Sequence, residues 1–244
     1  MSTRKSVSSD FRKLLGQLAH RHGSSRVFEA FVRLSTCALA TQTREAEYLE
    51  EVSRWQSDEL DLFAAALGAL VLEMESYPFT DIIGGYYTES VLSPKGQQWR
   101  GEFHTPKPVC DLIAHMVLDA KALPTDGPIT VCEPACGSGA MILSLGQVCP
   151  PEIRRRLRVT AIDISRTACD MTFINTTLWG IPMRVIHGNT LSGERWAEWP
   201  NIHWLRPWLS ASIRDKAQET RQQQPIRSQI RYDTPALTQQ ELTL

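Results

Sequence analysis

With 244 residues and a formal net charge of −1, the chain has room for one well-formed core, or for one core and a small helical lobe, and it carries no global basic field. Apolar residues at 42% and charged residues at 22% exclude a disordered or fibrous chain. Any contact with nucleic acid must then rest on a local patch or on a partner subunit. The six cysteines (Cys37, Cys110, Cys132, Cys136, Cys149, Cys169) form no Cys-x-x-Cys pair and have no His at ligand spacing, which predicts reduced thiols and no metal site. Nothing at the N-terminus couples a basic region to a long apolar stretch. The Leu62–Leu72 run is short and acid-flanked, so no membrane span and a cytoplasmic location are expected.

From Phe11 to Ser76 the apolar residues fall at helix period: Phe28, Phe31, Val32 and Leu39, then Leu60, Phe63, Leu67, Leu70, Val71 and Met74. These are amphipathic helices. The acidic stretch between them, Arg44 to Asp61, reads as a solvated helix face, and Tyr77-Pro78-Phe79 closes the lobe. Residues Thr80 to Gly101, with Gly84, Gly85, Pro94 and Gly96, read as a connection laid across the surface of the next domain. Pro108 then sits early in a helix, where its missing N–H costs nothing. Val109, Leu112, Ile113, Met116 and Val117 form the stripe that this helix is expected to bury.

Ile129–Cys132 reads as a buried strand, Gly139–Val148 as a helix, Val159–Ile162 as a strand, Thr167–Leu178 as a helix and Met183–Ile186 as a third strand. A β-α-β-α-β run of this kind closes into a parallel sheet with right-handed crossovers. Beyond Pro200 the pattern decays, and from Ser210 the chain is rich in Gln and Arg with few large apolar groups. The expected organisation is a helical lobe over 1–78, a connecting segment over 79–108, an α/β core over 109–200 and a polar, basic tail over 201–244.

The chemistry concentrates in Val131-Cys132-Glu133-Pro134-Ala135-Cys136-Gly137-Ser138-Gly139, where a strand ends in a carboxylate and turns through two glycines into a helix. Glycine lets backbone approach a ligand without a Cβ clash. Two enzyme classes share that layout. Dinucleotide enzymes carry a third glycine in the loop, whereas Ile142 stands in its place here, and Glu133 would repel a pyrophosphate. A carboxylate suits instead the cationic sulfonium and ammonium of S-adenosylmethionine (SAM). The second strand ends in Asp163, roughly two dozen residues on, where a carboxylate can accept both ribose hydroxyls or cap the next helix.

Gly101-Glu102-Phe103-His104-Thr105-Pro106, the Glu133–Gly139 loop, Asn175 to Gly180 and Gly188-Asn189-Thr190-Leu191 together resemble the ordered motifs of N6-adenine DNA methyltransferases, with particular likeness to the modification subunits of type I restriction-modification systems. The likeness spans Thr80 to Leu191 and implies a SAM-dependent, Rossmann-like parallel sheet, here cut short and preceded by the helical lobe. It implies that Phe103, Thr105 and Pro106 lie over SAM, and that Glu133, Ala135, Cys136, Gly137 and Gly139 line its methionine end. It further implies that Asp163 takes the ribose and Asn189 lies near the adenine ring. DNA is the implied partner.

The same family holds its target amino group with an Asn/Asp-Pro-Pro-Tyr/Phe loop after a fourth strand, stacking the flipped base on the aromatic ring. No such tetrapeptide follows Leu191, so no catalytic residue can be named. Cys149-Pro150-Pro151-Glu152 precedes the second strand, and Arg206-Pro207-Trp208 departs from the pattern. A first strand without a fourth beside it has an open edge, to be covered by Asn201–Leu205 with Trp204, by a partner subunit or by a second copy. The tail's Arg206, Arg214, Lys216, Arg221, Arg227 and Arg231 read as a solubilising end or as phosphate contacts. Trp196, Trp199, Trp204 and Trp208 read as anchors of a short segment or as base-stacking surfaces. Three functions remain open: a small DNA adenine methyltransferase, a SAM-binding accessory subunit that has lost catalysis, and a methyltransferase for protein or a small molecule.

Overall fold

Phe11, Leu15 and Leu18 fall on one face of Asp10–His22 (α1), and Val27, Phe28, Phe31 and Val32 on one face of Ser24–Leu39 (α2), so the two helices bury those faces against each other. Glu45–Val52 (α3) follows, then Ser57–Ser76 (α4), which contributes Phe63, Ala66, Leu70 and Met74 to the same core. The structure is a computed structural model, and it describes residues 10–40, 44–92, 105–118 and 123–205. These all belong to one compact unit, Met1–Trp208.

Ile82–Tyr86 (α5), continued by a π-helical turn over Tyr87–Val91, corrects the expectation of a surface connection. Ile82, Ile83, Tyr86 and Tyr87 are buried in the lobe, with Tyr87 stacked on Phe28 at 5.1 Å and Tyr86 against Phe11 at 5.3 Å. Of the two glycines that suggested a loop, Gly84 sits inside the helix where the backbone passes close to another segment, while Gly85 faces open space. A Cβ on Gly84 would stand 2.7 Å from Cβ of Ser138.

Lys107–Val117 (α6) leads to the sheet, which comprises Ile129–Glu133 (β1), Leu157–Asp163 (β2), Met183–Asn189 (β3) and Glu194–Pro200 (β4) in the order β1-β2-β3-β4. The first three strands are parallel, with Ile129 opposite Leu157 and Val159 opposite Met183; β4 runs antiparallel to β3. Ala140–Val148 (α7) and Arg166–Leu178 (α9) supply the crossovers, with the short Pro151–Arg154 (α8) before β2 and Ile202–Leu205 (α10) at the end. The first three strands and their helical crossovers therefore form the expected parallel α/β sheet.

α9 joins the two cores. Ala168, Met171 and Ile174 face the helical lobe, while Cys169 and Phe173 face the sheet, which leaves the helix buried almost all round.

β4 was not expected beyond β3. Its alternation is that of a sheet-edge strand: Trp199 is buried while Arg195, Trp196 and Glu198 stay exposed, and charged residues at an edge are common. The Trp199 ring lies between Arg44 at 4.6 Å and Arg166 at 4.3 Å, and Arg184 pairs with Glu198 at 3.2 Å. Two of the four tryptophans thus behave as anchors, Trp199 here and Trp204 under Arg158 and Arg184; Trp208 lies outside the described residues.

Three further expectations are corrected. Asn201–Leu205 does not cover the edge of β1. It packs at the opposite edge, where Asn201 accepts from Met183 N–H at 3.1 Å and donates to the Ile181 carbonyl at 2.8 Å. The stripe of α6 is not buried either. α6 meets α7 through its small residues, Cys110 and Ala114, leaving Leu112 60% and Met116 74% exposed. Helical periodicity identifies an apolar face, but a neighbour must be present to cover it. Among the described residues no strand lies beyond β1, and a groove of about 390 Å³ lined by Ile113, Val117, Val131, Met141 and Leu145 runs there. The acidic stretch is also less solvated than expected, because Glu47 bonds Arg33, Arg44 and Arg166.

Candidate functional site

The three parallel strands end side by side, and their last residues are Glu133, Asp163 and Asn189. Between β1 and α7 the chain turns through Gly137 (φ +54°) and Gly139 (φ +89°), both in the left-handed region that favours glycine. At Gly139 space is short as well, since a Cβ would meet Thr172 Oγ1 at 3.1 Å.

Asp163 holds this turn. Its Oδ2 accepts from Gly137 N–H at 2.8 Å and its Oδ1 accepts from Ser165 N–H at 2.8 Å, while Ser165 Oγ caps α9 by accepting from Ala168 N–H. The cap of the following helix is thus Ser165, and Asp163 stands at the tip of β2 beside the glycine turn. Glu133 Oε1 accepts from Ala135 N–H at 3.4 Å. Burial pushes the Glu133 carboxyl up from its ordinary value, and the nearby charge of Asp163 adds to the rise.

Ala135 is exposed, whereas the Cys136 side chain is buried beside Cys169, so Cys136 can offer the cleft only its backbone. Asn189 Oδ1 accepts from Leu191 N–H at 3.0 Å and from Ser192 N–H at 3.4 Å, an Asx arrangement that shapes the β3–β4 turn. Thr190 Oγ1 donates to the Pro134 carbonyl at 2.6 Å and ties that turn to the loop. Thr105 and Pro106 stand at the start of α6, on a cavity of about 260 Å³ shared with Asp81, Gly84, Thr88 and Ala140. Phe103 lies outside the described residues.

The structure gives the loop support from side chains to which the sequence assigned no role. Thr172 Oγ1 donates to the Gly137 carbonyl at 2.9 Å, Asn175 Nδ2 donates to the Ser138 carbonyl at 2.8 Å, and the Ser138 hydroxyl donates to Asp81. Asp81 carried a readable signal as an acidic residue opening a helix; its distance along the chain hid the rest.

The sequence profile of the N-6 DNA methylase family matches residues 80–218. The chain belongs to that family. No curated protein matches it. A protein of Listeria monocytogenes described as a class I S-adenosylmethionine-dependent methyltransferase aligns at 15% identity with a TM-score of 0.40, over 75% of this chain. The chain spans about half the length of that protein, 54%.

SAM is the cofactor of this family, and the loop suits it. Two carboxylates at adjacent strand tips repel each other, and Glu133 is half-buried besides. A cationic ligand relieves both costs, and SAM carries a sulfonium and an ammonium. Glu133→Gln tests this. Because the folded carboxyl is raised, its charged form destabilises the cofactor-free fold; that loss is absent below the ordinary carboxylate range and sets in as pH rises through the folded value. Near neutral pH the Glu133→Gln chain is expected to melt higher than wild type without SAM and to gain less from adding it. Equal SAM-induced shifts in the two melting curves would refute the cationic role.

Among the described residues the family's amino-binding tetrapeptide has no counterpart at the strand tips. Cys149 and Pro150 lie at the far end of α7, before β2. Asn201 is completely buried at the start of β3 and spends its side chain on Met183, Ile181 and Trp204. Arg206-Pro207-Trp208 lies outside the described residues. Among the described residues no cluster of His, Cys, Asp or Glu could hold a metal, and no helix is long and apolar enough to cross a membrane.

Proposed function

We propose that this chain is a SAM-dependent DNA methyltransferase component directed at adenine N6, of the restriction-modification type. The observation that carries the reading is the acidic glycine turn at the tip of β1, tethered to Asp163, in a chain whose family methylates DNA. In this reading Glu133 and the backbone from Ala135 to Gly139 hold the methionine end of SAM, with Phe103, Thr105 and Pro106 above it. Asp163 takes the ribose, and Asn189 stands by the adenine ring. SAM supplies an electrophilic methyl group; the chain orients it, and DNA supplies the amino nitrogen. The site of action is the cytoplasm.

A partner subunit or a second copy seated on the outer edge of β1 belongs to the same reading. It is supported by the apolar groove along that strand and by the exposed Leu112 and Met116 of α6. A second function, a SAM-binding accessory subunit without catalysis, is favoured by the missing Asn/Asp-Pro-Pro-aromatic loop and by the structural use of Asn201. Transfer of a tritiated methyl group from SAM to unmethylated DNA, with and without candidate partner subunits, separates the two. Incorporation into adenine is expected. Intact SAM binding with no transfer in any pairing would reject the enzyme and leave the accessory subunit.

A further inference from the structure

We infer that Asp81, a residue of the helical lobe, is the positioning residue that sets the cofactor loop, so that methyl-donor binding depends on how the lobe is docked. The inference rests on the reading of the Glu133–Gly139 loop as the SAM site. Asp81 stands at the head of α5, and its Oδ1 accepts from Gly84 N–H at 2.9 Å, the usual work of a helix cap. The same oxygen accepts from Asn175 Nδ2 at 2.9 Å, and the other carboxylate oxygen accepts from the Ser138 hydroxyl. One carboxylate thereby joins three segments: the lobe, the loop and α9.

The consequences for the loop follow from what else those partners hold. Asn175 Nδ2 also donates to the Ser138 carbonyl, and Thr172 Oγ1, one turn earlier on α9, donates to the Gly137 carbonyl. Two successive loop carbonyls are drawn back onto α9, while Gly137 N–H is drawn the other way onto Asp163. The turn is strung between Asp163 at the cleft and Asp81 behind it. Ser138, Thr172 and Asn175 are 1% exposed or less, so solvent cannot replace a lost partner. A carboxylate fits because three donors converge and the neighbouring Gly84 leaves no room for a Cβ between α5 and Ser138.

The experiment is calorimetric titration of SAM into the full chain, with melting temperatures measured alongside. Asp81→Ala removes the acceptor that Gly84 N–H, Asn175 Nδ2 and the Ser138 hydroxyl share and is expected to raise the SAM Kd about tenfold or more. Asp81→Asn keeps an oxygen for Gly84 and Asn175 and turns its amide toward the Ser138 hydroxyl, so its Kd should stay within about threefold of wild type. Leu70→Ala, in the lobe core and remote from the loop, should lower the melting temperature and leave the Kd within the same bound. Ser138→Ala should weaken binding, and less than additively when combined with Asp81→Ala.

If Asp81→Ala does not fold, the Ser138→Ala and Asp81→Asn values decide. SAM affinity equal in wild type and in Asp81→Ala, or in wild type and Ser138→Ala, overturns the inference alone. So does a Leu70→Ala chain that loses affinity in proportion to its melting temperature, since the effect would then be mere destabilisation. A wild-type chain that gives no heat with SAM removes the cofactor reading and this inference with it.

Discussion

Asp163→Ala is expected to weaken SAM binding by about 1.5 to 3 kcal/mol, roughly ten- to a hundredfold in Kd, the range for hydrogen bonds to a charged group. Two losses combine. The carboxylate at the tip of β2 is the acceptor proposed for the ribose hydroxyls, and it also receives Gly137 N–H and Ser165 N–H at 2.8 Å each. Alanine removes the ligand contact and releases the turn that Gly137 opens. Asp163→Asn retains one acceptor oxygen without the charge, so an intermediate Kd should follow. Calorimetry on variants with wild-type melting temperatures checks this, and an unchanged Kd for Asp163→Ala would remove Asp163 from the site.

The largest effect on stability is expected at Asp170. It is completely buried in α9, and Arg33 Nε at 3.0 Å, Arg44 Nη1 at 3.3 Å and Arg166 Nε at 3.4 Å surround it. Burial pushes the Asp170 carboxyl up from its ordinary value, which is why it needs several guanidiniums to stay charged. Glu47 bonds the same arginines from the far side, at 3.1, 2.6 and 2.7 Å, and the Trp199 ring lies against two of them. The cluster therefore fastens α2, α3, α9 and β4 together at one point.

Asp170→Ala leaves three cations facing one carboxylate, and breaking a buried pair in this way costs about 3 to 5 kcal/mol. For a chain of this size that corresponds to a fall in melting temperature on the order of 10 °C. Glu47→Ala should cost less, because Glu47 is partly exposed and its arginines keep Asp170. Thermal unfolding of both variants is the check. A smaller loss for Asp170→Ala than for Glu47→Ala would contradict this account of the cluster.

The strands around Val131, Val159 and Val185 and the crossover helices were readable because short apolar runs, glycine turns and helical stripes are local signals. The placement of Glu133, Gly137, Gly139 and Asp163 at the strand tips and the glycine turn was readable for the same reason, since a strand end and its turn are written in residues adjacent in the chain. β4 was not, because Glu194–Pro200 is an edge strand whose polar pattern gains its meaning only from Arg44, Arg166 and Arg184 beside it. α5 was misread because Gly84 and Gly85 look like loop residues until Ser138 is seen packed against Gly84.

Residue order alone thus settled that this is an α/β chain with an acidic glycine turn suited to a cationic cofactor, and that residues 1–244 hold no Asn/Asp-Pro-Pro-aromatic tetrapeptide. Folding decided the rest. It brought Asp81 and Ser138 together across 57 positions and Arg33 and Asp170 across 137. It also turned the apolar stripe of α6 outward, beside a β1 edge with no strand beyond it among the described residues. Local periodicity encodes which face of an element is apolar, but what that face meets depends on chain segments far away in sequence, and only packing brings those together.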